Sequence, residues 1–223
     1  MLIKEVSSMQ KKWLGIARAA LIALVILSGA IALPILCRPF FYLHIKPLQL
    51  ETMVGLTEDG VKAAYNEMMD YCIGISRNFS AGELPFSQEG AAHFADVQKL
   101  FVLDLWVLAV SAVLLLALVL WQRKQPVTLL GHTPGFWGAT GLGVSIAIIG
   151  GLAALDFDRA FVIFHKLFFP GKDNWLFDSR KDPIINMLPA EFFRNCAILI
   201  LASILLTCGI LIAYDMKSRK TRL

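Results

Sequence analysis

Four long apolar stretches constrain this chain more than any other feature of its sequence. They run over 13–36, 100–121, 136–155 and 195–214, and each holds 20 to 24 residues. About 20 residues of α-helix are needed to cross the ~30 Å hydrocarbon core of a bilayer. Only 17% of the residues are charged, against roughly 25% in soluble domains. The sequence therefore predicts an all-α integral membrane protein with four transmembrane helices, in a single membrane domain over 1–223.

The distribution of basic residues predicts the orientation of the chain. The tails 1–12 and 215–223 and the loop 122–134 together hold nine Lys or Arg and two acidic residues in 34 positions. The segments 37–98 and 155–193 hold nine Lys or Arg and fourteen acidic residues in 101 positions. Because Lys and Arg are enriched in cytoplasmic loops, both termini are expected to be cytoplasmic, and 37–98 and 155–193 extracytoplasmic. The net charge of +4 reflects this asymmetry, and no basic stripe with interleaved aromatic residues indicates nucleic-acid binding.

The extracytoplasmic segments contain helix signals of their own. Thr57 is a candidate N-cap for an amphipathic helix that extends to Ile73. Ser87 is expected to cap a second helix that continues without a break into the 100–121 span. A third, short helix is expected to carry His165 and to end at Pro170-Gly171. In the third span, a set of glycines indicates close packing between helices.

Two histidines are the candidate chemical groups. His93 and His165 each lie in a polar, aromatic segment on the predicted outer side. Imidazole exchanges protons readily near neutral pH, since its unperturbed pKa is about 6.5. The other two histidines are left out of the site: His132 is expected to be a solvated loop residue, and His44 has ordinary interfacial neighbours. A metal held by His93, His165 and a carboxylate is a competing use, although the spacing gives it no specific support.

At these two segments the chain resembles a known family. The residues that carry the resemblance are Ser87-Gln88-Glu89 with His93-Phe94-Ala95-Asp96-Val97, and Phe164-His165-Lys166-Leu167-Phe168-Phe169 followed by Trp175-Leu176-Phe177-Asp178 and Asp182-Pro183-Ile184-Ile185. They are similar to the lipoprotein intramolecular transacylase family, Lit. The four-span plan with two outer segments is also similar.

The resemblance implies a reaction and a place for it. The substrate would be a diacylated bacterial lipoprotein, whose N-terminal Cys carries a diacylglyceryl group. The enzyme would move the sn-2 acyl chain from glycerol onto the Cys α-amino group, without a cofactor, and give a lyso-form lipoprotein. It would be a multi-pass acyltransferase of the bacterial plasma membrane, surrounded by lipid, with an extracytoplasmic active site and no metal.

Roles for individual residues follow from this chemistry. We expect one of His93 and His165 to be the general base, with His165 favoured because its Phe neighbours would lower its pKa by desolvation. Asp96 is expected to orient an imidazole, and Trp175 or backbone N–H groups to donate to the oxyanion. Asp158 and Lys166 are further candidates for orienting groups or contacting substrate, with Lys166 in reach of headgroup phosphates.

Alternatives remain open at this level. The chain could instead be a non-enzymatic four-span scaffold or receptor, or a metal-dependent membrane hydrolase that uses the same histidines. Cys37 and Cys72 would both lie outside and could form a disulfide, although free thiols are favoured because unpaired cysteine is commonly buried.

Overall fold

The computed structural model describes residues 2–121 and 127–220, and within these ranges it is helical and contains no strand. The helices are α1 (Leu2–Leu36), α2 (Arg38–Tyr42), α3 (Leu50–Val54), α4 (Glu58–Cys72), α5 (Gln88–Trp121), α6 (Pro134–Leu155), α7 (Phe157–Phe168), α8 (Ile184–Met187) and α9 (Ala190–Lys220). The predicted all-α class is confirmed.

Four of these helices are long and apolar enough to cross a membrane. The candidate spans are Met9–Leu36, Gln88–Trp121, Pro134–Leu155 and Ala190–Arg219. They contain the four predicted stretches and extend beyond most of their ends. The largest extension is at the start of α5, which begins twelve residues before Leu100, the first residue of the predicted apolar stretch.

The described residues divide into two compact units. The first unit comprises the chain before Ala32, the residues from Leu105 to Leu152, and those from Ile200 onward; the second comprises Ala32–Asp104 and Ala153–Leu199. All four cysteines are unpaired, so Cys37 and Cys72 do not form a disulfide in this structure.

The core of the first unit is built from small side chains on three helices. Ala30, Ala139, Ile204 and Cys208 form its buried cluster. Gly138 on α6 is required by close packing, because a Cβ at this position would lie 2.4 Å from the carbonyl oxygen of Ala19. The predicted role of small residues in helix contact is therefore confirmed at Gly138.

His132, also in the first unit, differs from expectation. Its Nδ1 lies 2.6 Å from a carboxylate oxygen of Asp215, and its ring stacks on Phe136. Asp215 is buried, and it also accepts a hydrogen bond from the backbone N–H of Thr133. The expectation of a merely solvated side chain was wrong, because that buried carboxylate comes from 83 positions further along the chain and no local pattern announces it.

The second unit contains the predicted amphipathic helix, α4. Its N-cap is Thr57, whose hydroxyl accepts a hydrogen bond from the backbone N–H of Gly60 at 3.2 Å. The buried side chains of α4 recur at helical spacing and are Val61, Ala64, Tyr65, Met68, Met69 and Cys72. Phe41 stacks on Tyr65, with their ring centroids 3.7 Å apart, and it also contacts Phe192 edge-on. This aromatic cluster anchors α4 within the unit.

Candidate active site

His93 and His165 meet in the second unit. His93 lies on α5 and His165 on α7, and the centroids of their rings are 6.0 Å apart, with 29° between the ring planes. Both side chains are nearly inaccessible to solvent, at 5% and 7% relative exposure. The structure therefore brings the two predicted groups together although 72 positions separate them in the sequence.

Aromatic rings surround both imidazoles. Phe169 lies 4.9 Å from the His93 ring and 5.7 Å from the His165 ring, and Phe177 lies 5.4 Å from His93. Trp175 stacks on His165 at 4.7 Å. Such surroundings exclude water and strengthen any electrostatic interaction that forms within them.

A backbone hydrogen bond determines the tautomer of His165. Its Nδ1 lies 2.8 Å from the carbonyl oxygen of Phe161, one helical turn earlier. A carbonyl only accepts, so Nδ1 carries the proton and the neutral ring has its lone pair on Nε2. Burial lowers the pKa of His165 below its usual value, although the bond to Phe161 opposes this effect. His165 is thus a neutral imidazole at neutral pH, with Nε2 able to accept a proton.

Asp96 contacts cations and an amide. Its carboxylate accepts hydrogen bonds from Lys99 Nζ at 3.1 Å, from Lys172 Nζ at 2.5 Å and from Asn174 Nδ2 at 3.4 Å. Lys172 and Asn174 belong to the loop that follows α7, so the buried carboxylate ties this loop to α5. No hydrogen bond joins Asp96 to an imidazole among the described residues, and the expectation that Asp96 orients an imidazole stays a prediction.

Of the remaining predicted residues, Trp175 contacts an imidazole, whereas Asp158 and Lys166 are exposed. Trp175 contributes its ring face, while its Nε1–H donates to the carbonyl oxygen of Lys172 at 3.0 Å. The donor that was expected to serve an oxyanion is therefore already engaged. Asp158 and Lys166 are exposed on α7, unlike the two buried imidazoles, and their expected roles stay predictions.

A second connection holds the same loop against α5. Asp182 is buried and accepts hydrogen bonds from the backbone N–H of Ser87 at 2.7 Å and from its hydroxyl at 2.8 Å. The Ser87 hydroxyl in turn accepts from the backbone N–H of Gly90, which confirms Ser87 as the N-cap of α5. A Cβ at Gly90 would lie 2.3 Å from Asp182 Oδ1, so only glycine permits this approach.

Sequence reasoning missed Lys172 and Asn174 and assigned no role to Asp182. Their partners lie 76 to 95 positions away. No fixed spacing within one helix could have indicated them. Among the described residues, no group of three or more His, Cys, Asp and Glu side chains is placed to hold a metal ion.

Together, these observations define a class: an all-helical integral membrane protein with a buried pair of imidazoles in an aromatic pocket. The family model of the lipoprotein intramolecular transacylase Lit matches residues 16–193. The chain therefore belongs to the Lit family, and it is an acyltransferase. Membership in a transacylase family contradicts the interpretations as a non-enzymatic scaffold and as a hydrolase.

Solved structures of a relative agree with this assignment. The membrane-integral lipoprotein intramolecular transacylase Lit from Bacillus cereus superimposes with a TM-score of 0.86 at 26% identity, over 96% of this chain and 99% of that one. A histidine-to-arginine variant of the same protein gives 0.81 at 25% identity, over 98% and 97%. A histidine-to-alanine variant gives 0.80 at 25% identity, over 97% and 98%. No curated protein matches the chain.

Proposed function

We propose that this transacylase moves the sn-2 acyl chain of a lipoprotein's diacylglyceryl group onto the α-amino group of the same N-terminal Cys. The product is a lyso-form lipoprotein with an N-acyl chain and an S-monoacylglyceryl group. The reaction takes place on the extracytoplasmic side of the bacterial plasma membrane, and it needs no cofactor, since an ester is exchanged for a more stable amide.

The observation that carries this proposal is the pair of imidazoles, 6.0 Å apart, in one water-excluding pocket. Acyl transfer from an ester to an ammonium group requires two proton movements. The ammonium, with a pKa of about 8, must first lose one proton, which passes to solvent. After the amine attacks the carbonyl carbon, a second proton must leave the nitrogen and reach the departing glycerol oxygen. Two neighbouring imidazoles suit the transfer of this second proton, since one can accept it from the nitrogen and the other can deliver it to the glycerol oxygen.

Different surroundings support different roles for the two histidines. His165 acts as the general base in this scheme, because its Nδ1 is engaged by Phe161 and its Nε2 is free to accept a proton. His93 Nε2 then receives this proton from His165, and the resulting imidazolium donates to the oxyanion of the tetrahedral intermediate and releases the proton to the departing glycerol oxygen. Trp175 shapes the pocket through its ring and does not donate to the oxyanion, because its N–H is engaged by Lys172.

The intramolecular character of the reaction supports a mechanism without a covalent acyl-enzyme. Amine and ester belong to one molecule, so confinement in the pocket can raise their effective concentration to ~10⁵ M or more. The aromatic rings around the two imidazoles exclude water. This favours a substrate conformation in which the amine and the ester lie close together.

An isotope-labelled substrate tests the transfer directly. The full-length protein in detergent or proteoliposomes receives a diacylated lipopeptide whose sn-2 chain carries ¹³C, and mass spectrometry locates the label. The proposal expects ¹³C in the N-terminal amide, with the same outcome in the presence of a chelator. A matched substrate labelled in the sn-1 chain should keep its label on glycerol.

Two results would contradict the proposal. Label released as free fatty acid would indicate hydrolysis, and label retained on the glycerol ester would indicate that no transfer occurs.

A further inference from the structure

Asn174 carries a buried atom that lacks a partner, beside the active site. Its Nδ2 donates to Asp96 at 3.4 Å, but its Oδ1 has no hydrogen-bond partner among the described residues. The Nδ1 atom of His93 is likewise buried and has no partner within the described part of the chain. A buried polar group without a hydrogen-bond partner destabilises the folded state. Two such atoms in one small site therefore call for an explanation.

The two atoms belong to neighbouring groups. Asp96 follows His93 by three residues on α5, which places both on nearly the same side of the helix, and Asp96 binds the Asn174 amide. The amide also interacts with the His93 imidazole, although the contact falls short of hydrogen-bond geometry. A hydrogen bond between Asn174 Oδ1 and His93 Nδ1 would satisfy both of these buried atoms.

Asp96 fixes which end of the amide faces the imidazole. An ionised carboxylate only accepts hydrogen bonds, so the NH₂ end of Asn174 must point towards Asp96. The acceptor Oδ1 is then the end left for His93. An acceptor can pair with the ring nitrogen only if that nitrogen carries the proton.

We propose that Asn174 is a positioning residue that holds neutral His93 in its Nδ1–H tautomer. His93 Nδ1–H donates to Asn174 Oδ1, and Asn174 Nδ2 donates to Asp96, so that the lone pair of the imidazole is on Nε2. The assignment deepens the proposed function and rests on it, since the tautomer matters because His93 transfers a proton during acyl transfer. His165 is held in the same tautomer by the Phe161 carbonyl.

A neutral amide between carboxylate and imidazole has a specific consequence. A carboxylate in direct contact with His93 would favour the imidazolium form. The amide fixes the tautomer without adding a charge, and the charge of Asp96 is balanced by Lys172 and Lys99. His93 is thereby kept as a neutral group that can take up a proton and release it to glycerol.

The test replaces Asn174 with Leu, which has a similar size but no donor or acceptor. ¹⁵N chemical shifts of the His93 ring, in the full-length protein at a pH where the ring is neutral, report the tautomer. The chain has four histidines, so the His93 signal is identified as the one missing from His93→Gln. The wild type should show a protonated Nδ1. Asn174→Leu should show a mixture of tautomers and a fall in kcat of about 10- to 100-fold.

Asp173→Ala is the matched control, because Asp173 is the exposed neighbour of Asn174 in the same loop. This variant should keep both the tautomer and the activity of the wild type. An unchanged His93 tautomer in Asn174→Leu, with or without a loss of activity, would overturn the assignment. Failure of the proposed function is distinguishable, since it would appear as absent acyl transfer in the wild type while the ¹⁵N shifts still report on Asn174.

Discussion

At the scale of single residues, the imidazoles of His93 and His165 lie in different environments, and we propose different roles for them. His93 and His165 could be selected from the sequence as candidate reactive groups, because their residue type and the polar, aromatic segments around them were informative. Their tautomers could not be inferred from the sequence, since that of His165 depends on the Phe161 carbonyl and that of His93 depends, in our proposal, on Asn174. The Trp175 N–H was expected to be available to an oxyanion. In the structure it donates to the carbonyl oxygen of Lys172, and a sequence does not show which N–H groups a loop satisfies internally.

The pH dependence of activity tests the environment of His165. Burial keeps the pKa of His165 below its usual value, so the acid limb that His165 contributes to the kcat/KM profile should lie below about pH 6.5, separate from the limb of the substrate ammonium near pH 8. Trp175→Ala removes the ring that covers this imidazole. Water then enters, the pKa of His165 rises towards its usual value, and the acid limb of the pH–rate profile should move to higher pH.

The control for this prediction is Trp106→Ala. Trp106 is an exposed residue on α5, and its replacement should leave the acid limb where it is in the wild type. A Trp175→Ala profile whose acid limb stays in place or moves to lower pH would contradict the desolvation argument.

At the scale of elements, the active site depends on how the loop after α7 is attached to α5. Asp182 binds Ser87 at the start of α5, and Lys172 binds Asp96 two turns further along. The loop is also the source of Trp175 and Phe177, which form part of the aromatic pocket. The attachment therefore positions both the pocket and the Asn174 amide.

Gly90→Ala should break this attachment. The new methyl group would lie 2.3 Å from Asp182 Oδ1 and would force the loop away from Ser87. Overpacking of this kind costs about 1–3 kcal/mol, so the melting temperature in detergent should fall and acyl transfer should decrease. Gly141→Ala on α6 is a matched control, because a Cβ there meets no atom within 4 Å.

The control variant Gly141→Ala should not lower the melting temperature. Alanine stabilises a helix interior by about 0.5–1 kcal/mol relative to glycine, so Gly141→Ala should melt at the same or a higher temperature. If Gly90→Ala behaved in the same way as Gly141→Ala, the close approach of Asp182 to α5 would be refuted.

Helices with a regular pattern were predictable, and short ones were not. The boundaries of α4 and the cap of α5 follow from Thr57, Ser87 and helical periodicity. By contrast, α2 and α3 have five residues each, too few to show a period, and Gln49 before α3 has a positive φ of 52° that its residue type does not indicate. The convergence of α5 and α7 was unpredictable because it depends on contacts across 76 to 95 positions.

At the scale of the whole molecule, the orientation in the membrane remains a prediction from charge. The positive-inside rule places residues 37–98 and 155–193 outside. Cys37 follows directly after the span Met9–Leu36 and has an exposed, unpaired side chain. Cys72 is buried, and burial raises the pKa of its thiol to about 12, so it should not react. Cys37 is therefore a natural probe of topology.

A membrane-impermeant maleimide should label Cys37 in intact cells. In a Cys37→Ser background, Leu130→Cys introduces a thiol at an exposed position that the charge rule assigns to the cytoplasm. This variant should be labelled only after the membrane is permeabilised. The reverse pattern would invert the proposed topology and move the active site to the cytoplasmic side.

The central claim is that His93 and His165 act together on one carbonyl carbon, and the acyl distribution of a lipoprotein in single-histidine variants tests it most directly. Mass spectrometry of a diacylated lipoprotein incubated with His93→Ala or His165→Ala should show conversion to the lyso-form reduced about 10²–10⁴-fold in each case. His44→Ala, a matched substitution of a histidine that packs against Phe40 and Phe192, should convert the substrate as the wild type does. Full conversion by both of the first two variants would contradict the account.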